Sequence, residues 1–130
     1  MNRIVRKIPL DNGLTVCFAD ASRRDFGDYH QVRVEITCEV PLCAELFEDA
    51  AAFSAAWQLL GGKACYRKLV EHQGVPSEAR EATVSRVIQQ FVDHSLAYFA
   101  SPLFPRRLAH SELARARSRS RRFVPVPPRG

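Results

Sequence analysis

Between Gln31 and Pro41 the side chains alternate without a break: Val32, Val34, Ile36, Cys38 and Val40 are apolar, while Arg33, Glu35, Thr37 and Glu39 fill the gaps. A period of two residues sends one set to each face of a strand, so this segment can bury one side and wet the other. The preceding run repeats the pattern, with Leu14, Val16 and Phe18 set against Thr15, Cys17 and Ala19. Residues 14–42 therefore read as one long antiparallel hairpin. A three-residue turn at Asp25, Phe26 and Gly27, with glycine in the left-handed position of a bulge, places Phe18 opposite Val34, Val16 opposite Ile36 and Leu14 opposite Cys38. A two-residue loop at Phe26 and Gly27 would instead set Phe18 against Glu35, and a slip of one residue turns a whole strand over. The three-residue turn is the reading that collects the apolar side chains.

The same reasoning extends in both directions. A first strand from about Arg3 to Leu10 turns at Asp11, Asn12 and Gly13, which sets Leu10 against Leu14 and Ile8 against Val16. Arg6 then falls opposite Phe18 and is expected to snorkel toward Asp20. Beyond Phe18 the hairpin loses its apolar face, so residues 20–31 are expected to project as an arm. Arg24 and Asp28 are expected to pair across its end.

After Pro41, Leu46, Ala50, Phe53, Trp57 and Leu60 recur at helical spacing and predict a core-facing helix that Gly61 and Gly62 stop. Residues 64–73 read as a fourth strand or as a helical turn. The longest helix follows Pro76, with Ser77 as its N-cap and Val84, Val87, Ile88, Phe91, Val92, Ser95 and Tyr98 on the inner side; Pro102 ends it. The fold expected is α+β: a two-layer sandwich with a mostly antiparallel four-stranded sheet, in the order β-β-β-α-β-α, and two helices on one face. A helical crossover would bring the fourth strand in parallel, beside the first or third.

At 130 residues the chain is sized for one domain, expected over 1–105. Residues 106–130 carry eight arginines against Glu112 alone, so +7 of the net +5 lies there and −2 on the remainder. Rich in Pro, Arg and Ser, that stretch is expected to be a largely disordered tail, from about Leu113 onward. No run of eighteen apolar residues occurs and the first residues lack a leader pattern, so a cytoplasmic protein with no membrane contact is expected.

Chemistry-bearing motifs are sparse. The sequence has no GxSxG, P-loop or Gly-rich dinucleotide loop, and its histidines (His30, His72, His94, His110) form no HxxxH pair. Cysteines 17, 38, 43 and 65 form no CxxC and read as free thiols. No catalytic residue, cofactor or metal site is assigned. A third possibility is a small enzyme with its cleft between the arm and the start of the second helix, where His30 or His72 would serve. The candidate interaction residues are Arg23, Arg24, Phe26, Tyr29 and His30 on the arm, and Arg33 and Glu35 on the open sheet face. Arg33 and Glu35 suit a self-complementary homodimer contact or another protein partner. Arg115, Arg117, Arg119, Arg121 and Arg122 are the candidate nucleic-acid contacts. The leading expectation is a non-catalytic protein-interaction domain, and the alternative is a nucleic-acid-associated protein.

Overall fold

Strands β1 (Arg3–Pro9) and β2 (Thr15–Asp20) form the first hairpin, and Ile8 faces Val16 and Arg6 faces Phe18 as the turn arithmetic requires. Gly13 takes the left-handed conformation at φ 85°, and Leu10 N donates to Leu14 O at 2.7 Å. The rest of the computed structural model, which describes residues 3–122, adds β3 (Arg23–Phe26), β4 (Tyr29–Pro41), α1 (Ala50–Leu60), β5 (Lys63–Pro76), α2 (Arg80–Phe99) and α3 (Phe104–Arg122). The fold is α+β with a five-stranded antiparallel sheet. By its contacts the chain divides into two units, residues 3–39 with 65–104 and residues 40–64 with 105–122.

The second hairpin keeps the expected faces in a different register. Phe18 stands opposite Ile36 and Val16 opposite Cys38, a shift of two residues from the expected pairing. The chain turns at Gly27 and Asp28, and a bulge between Arg24 and Phe26 absorbs one residue of β3. The two-residue turn taken alone would reverse the faces, and the bulge restores them. Arg23 opposite Gln31 continues the register of Asp20 opposite Val34, so β3 prolongs β2 along β4. At the break Arg33 N donates to Ser22 Oγ at 3.0 Å, a hydroxyl standing in for a ladder carbonyl.

The remaining strand departs from expectation in direction and in number. β5 pairs with β4, and the contacts Gln31–Glu71 and Glu35–Arg67 run in opposite senses along the two, which makes the pair antiparallel rather than parallel. The physical reason lies where the strands leave each other: Leu42 N donates to Gly62 O at 2.9 Å. The intervening segment returns the chain to its point of departure, so α1 sits in the loop of a wide hairpin and makes no crossover.

In the first unit, α2 covers the face carrying Val16, Phe18, Val32, Val34 and Ile36, all at most 1% exposed. Val84, Val87, Ile88 and Phe91 are buried on its inner stripe, and the Phe18 and Phe91 rings meet edge to face at 5.6 Å. Each such side chain contributes about 1.5–3 kcal/mol by leaving water. Phe99 rather than Tyr98 ends the stripe, packed against Tyr66, Phe91 and Phe104. Asn12 in the first turn donates to Phe99 O at 2.8 Å and so occupies one of the carbonyls the helix end leaves bare.

A buried ion pair pins the other end of α2. Asp20, 7% exposed, accepts from Ser22 N at 2.9 Å and from Arg80 at 3.0 Å. Arg80, not Arg6, is therefore its partner. Burial alone would raise this carboxyl's pKa, but the Ser22 hydrogen bonds and the charges of Arg80 and Arg3 outweigh it and hold the pKa below its ordinary 3.8.

In the second unit, α1 begins with an Asp49 cap on Ala52 N at 2.7 Å and ends at Gly61, φ 75°. It does not face a core along the expected stripe: only Ala56 is buried and Trp57 is 48% exposed. The Trp57 ring instead lies over Gly62, where an added Cβ would approach it to 3.1 Å, and beside Phe53.

Residues 106–122, expected from composition to belong to a disordered tail, are helical in α3, and residues 123–130 of that tail lie outside the described residues. Phe104, Leu108, Ala109, Leu113 and Ala116 form a buried stripe that the arginine content hides. His110 stacks on Phe47 at 5.4 Å and its Nε2 meets Leu46 O at 2.8 Å.

Asp20→Asn should destabilise the chain by about 1–3 kcal/mol, because it removes the charged partner of a half-buried guanidinium. Because the folded pKa of Asp20 is depressed, its contribution is present above the ordinary carboxylate pKa and lost as pH falls through the folded value. Urea midpoints of the two chains should therefore converge toward strong acid and diverge above pH 3.8.

Candidate functional site

The arm, the open sheet face and α3 carry the residues singled out from sequence. On the arm, Phe26 and Tyr29 stand opposite each other across the turn and are 81% and 51% exposed. Arg24 donates to Gly27 O at 2.8 Å and forms the expected pair with Asp28 at 3.6 Å, both side chains well exposed. Such a pair contributes under about 1 kcal/mol. It serves to close the turn.

The arm is anchored at its root. Ser77 N and Ser77 Oγ both donate to Asp28 O at 2.9 Å, and His30 Nε2 lies 2.8 Å from Ser77 Oγ. With the one hydroxyl hydrogen spent on Asp28, the imidazole must donate from Nε2. Ser77 is consequently not the N-cap of α2. Its side chain goes to the hairpin tip, the residues Ser77–Ala79 form a short 3-10 turn, and α2 opens at Arg80 without a side-chain cap. β5 also runs along β4 as far as this point, so residues 20–31 are the end of a three-strand layer and not a free arm.

The open face is tied together within the chain. Arg23 Nε donates to Gln31 Oε1 at 2.8 Å, and Gln31 Nε2 donates to Glu71 Oε2 at 2.7 Å. Glu35 pairs with Arg67 at 3.3 Å, so the carboxylate expected to meet a second copy already has a partner on β5. Arg23, Arg33, Glu35, Arg67 and Leu69 line a shallow cleft of about 340 Å³ with Ala21 and Ser22. Arg33 Nε is shut away from solvent there without a hydrogen-bond partner among the described residues. Neither this cleft nor the one described below is lined by His30 or His72.

The arginines of α3 are different in kind. Arg115, Arg117 and Arg119 are exposed on a formed helix and flank its buried stripe. Arg115 contacts Glu112 at 3.2 Å, one helical turn away, and Arg106 donates to Glu45 O at 2.9 Å. Arg121 and Arg122 extend the same helix. From Phe104 to Arg122 seven arginines face a single glutamate, an excess of +6 over nineteen residues.

All four cysteines are free. Burial, with Cys17, Cys65 and Glu39 nearby, pushes the Cys38 thiol up to about 11, which keeps it protonated and unreactive. No cluster of three or more metal-ligating side chains exists among the described residues, and no helix there is long and apolar enough to cross a membrane.

Sequence reasoning missed the Ser77 latch and the partners on β5. Arg67, Leu69 and Glu71 occupy every second position, which was the available signal; the strand was expected beside the first or third strand, the latter being β4, but running parallel to it, which would set other residues opposite these. No family model, curated protein or solved structure matches the chain.

Ser77→Ala should loosen the hairpin tip at a cost of about 1 kcal/mol, since the Oγ contacts to Asp28 and His30 are lost while Ser77 N keeps its bond to Asp28 O. Amide hydrogen exchange at residues 24–30 should accelerate while the α2 amides of residues 84–91 stay protected; equal acceleration of both would contradict the latch.

Proposed function

We propose that this is a cytoplasmic nucleic-acid-associated protein that holds phosphates on α3; the aromatic pair of the arm is a separate surface to which unstacked bases can be offered. The observation that carries the reading is the exposed series Arg115, Arg117 and Arg119 on a formed helix. A guanidinium on an ordered backbone has lost less freedom to binding than one on a loose tail, and its planar fork matches phosphate oxygens. Phosphate contacts supply affinity without sequence preference.

The arm adds a second kind of group. Phe26 and Tyr29 are too exposed to contribute to a core, and exposed aromatics are the platforms on which single-stranded bases stack, worth about 1–3 kcal/mol per base. Protein association through Arg33 and Glu35 is less well supported, because Glu35 already pairs with Arg67. Four free thiols fit a reducing compartment.

Fluorescence anisotropy with a short single-stranded oligonucleotide over a range of salt tests this reading. Each of Arg117→Gln and Arg119→Gln should reduce the slope of log K against log salt by roughly 0.7. Phe26→Ala, which removes no charge, should leave that slope unchanged. An unchanged slope in the double arginine variant would overturn the role given to α3.

A further inference from the structure

Arg3 and Arg6 are three residues apart, so on a regular strand they would point to opposite faces of the sheet. In β1 they do not. The register runs Arg6 opposite Phe18 but Ile4 opposite Ala19 and Arg3 opposite Asp20, leaving Val5 as an extra residue in a bulge. Phe18 and Asp20 both lie on the buried face, so the bulge turns Arg3 and Arg6 toward that face together. Bulges re-aim side chains in this way beside binding sites.

The two guanidinium groups meet the start of α2. Arg3, Val5, Arg6 and Asp20 line one wall of a cleft of about 360 Å³; Arg80, Glu81, Val84, Ser85, Ile88 and Gln89 line the other. That is the size of a small-molecule site. Three arginines stand against two carboxylates, and Asp20 is committed to Ser22 and Arg80. The guanidinium groups of Arg3 and Arg6 are exposed, and Arg3 acts on Asp20 through its charge without displacing Arg80. Arg80 Nε is buried without a hydrogen-bond partner among them. Val5, Val84 and Ile88 provide apolar surface beside these donors. An orphaned, buried N–H is costly, and an acceptor entering the cleft would satisfy it.

We propose that the cleft between β1 and α2 binds a small organic anion, its phosphate or carboxylate head held by Arg3, Arg6 and Arg80 and its apolar body against Val5, Val84 and Ile88. Asp20 acts as a positioning residue that fixes Arg80. This site lies within the first unit and is independent of the arginines on α3.

Amide chemical shifts and calorimetry on the full chain, with phenyl phosphate, benzoate and inorganic phosphate as probes, test the assignment. Phenyl phosphate or benzoate should perturb the amides of Val5, Val84, Ser85 and Ile88, and the tighter of the two identifies the head group. Arg3→Gln and Arg6→Gln should each weaken that probe about tenfold, the weight of one charge-assisted hydrogen bond. Both side chains are exposed, so the variants should keep the wild-type circular dichroism. Arg117→Gln/Arg119→Gln should leave the affinity unchanged. Absence of binding, full binding by the Arg3→Gln/Arg6→Gln chain, or perturbation confined to α3 would overturn the site. Equal affinity for inorganic phosphate would overturn the apolar half of it.

Discussion

Every other strand except β1 pairs with β4, and what β4 imposes on its partners is parity. Val32, Val34, Ile36 and Cys38 must stay on the buried face, so each partner has to deliver its own apolar side chains to that face. An error of one residue would exchange Phe18 and Val16 for Cys17 and Ala19, at a cost of several kcal/mol. An error of two changes almost nothing on this count. The chain resolves parity with bulges: one between Arg24 and Phe26 corrects a turn that would otherwise reverse the strand, and one at Val5 brings Arg3 to the inner face. The first preserves the core. The second adds charge at its edge.

The distribution of partners then separates structural charge from available charge. Across β3, β4 and β5, Gln31 bridges Arg23 and Glu71, and Glu35 pairs with Arg67, so these contacts are already made inside the chain. Asp20 and Arg80 fasten α2 to the sheet. Among the described residues, the groups left outward include the tip aromatics, Arg3 and Arg6 of β1, and Arg117 and Arg119 of α3. A surface charge satisfied by its own chain loses that bond when it binds something else, whereas an unsatisfied one does not. This difference favours α3 over the open face as a contact surface.

Much of the fold was legible because local rules decide it. The first hairpin followed from Asp11, Asn12 and Gly13, since a short turn leaves few registers, and α1 and α2 followed from helical spacing with the glycine stop at Gly61. The second hairpin was misplaced by two residues because alternation fixes the face and is blind to even shifts. The direction of β5 was not legible, since it depends on Leu42 and Gly62 meeting across the nineteen residues between them. α3 was read by composition, where arginine and serine dominate, although Phe104, Leu108, Leu113 and Ala116 carry the helical period. Of the candidate site residues, the exposure of Phe26 and Tyr29 could be anticipated from the polar run around them. The recruitment of Arg3 could not, because nothing in the residues 3–6 announces a bulge.

Nitrogen-resolved spectra of the arginine side chains during titration with a single-stranded oligonucleotide bear most directly on the phosphate contacts assigned to α3. The Nε signals of Arg115, Arg117 and Arg119 should shift together and return as salt is raised, while that of Arg23, engaged with Gln31, stays in place. Shifts at Arg23 and Arg33 with the α3 signals unmoved would contradict the role given to α3.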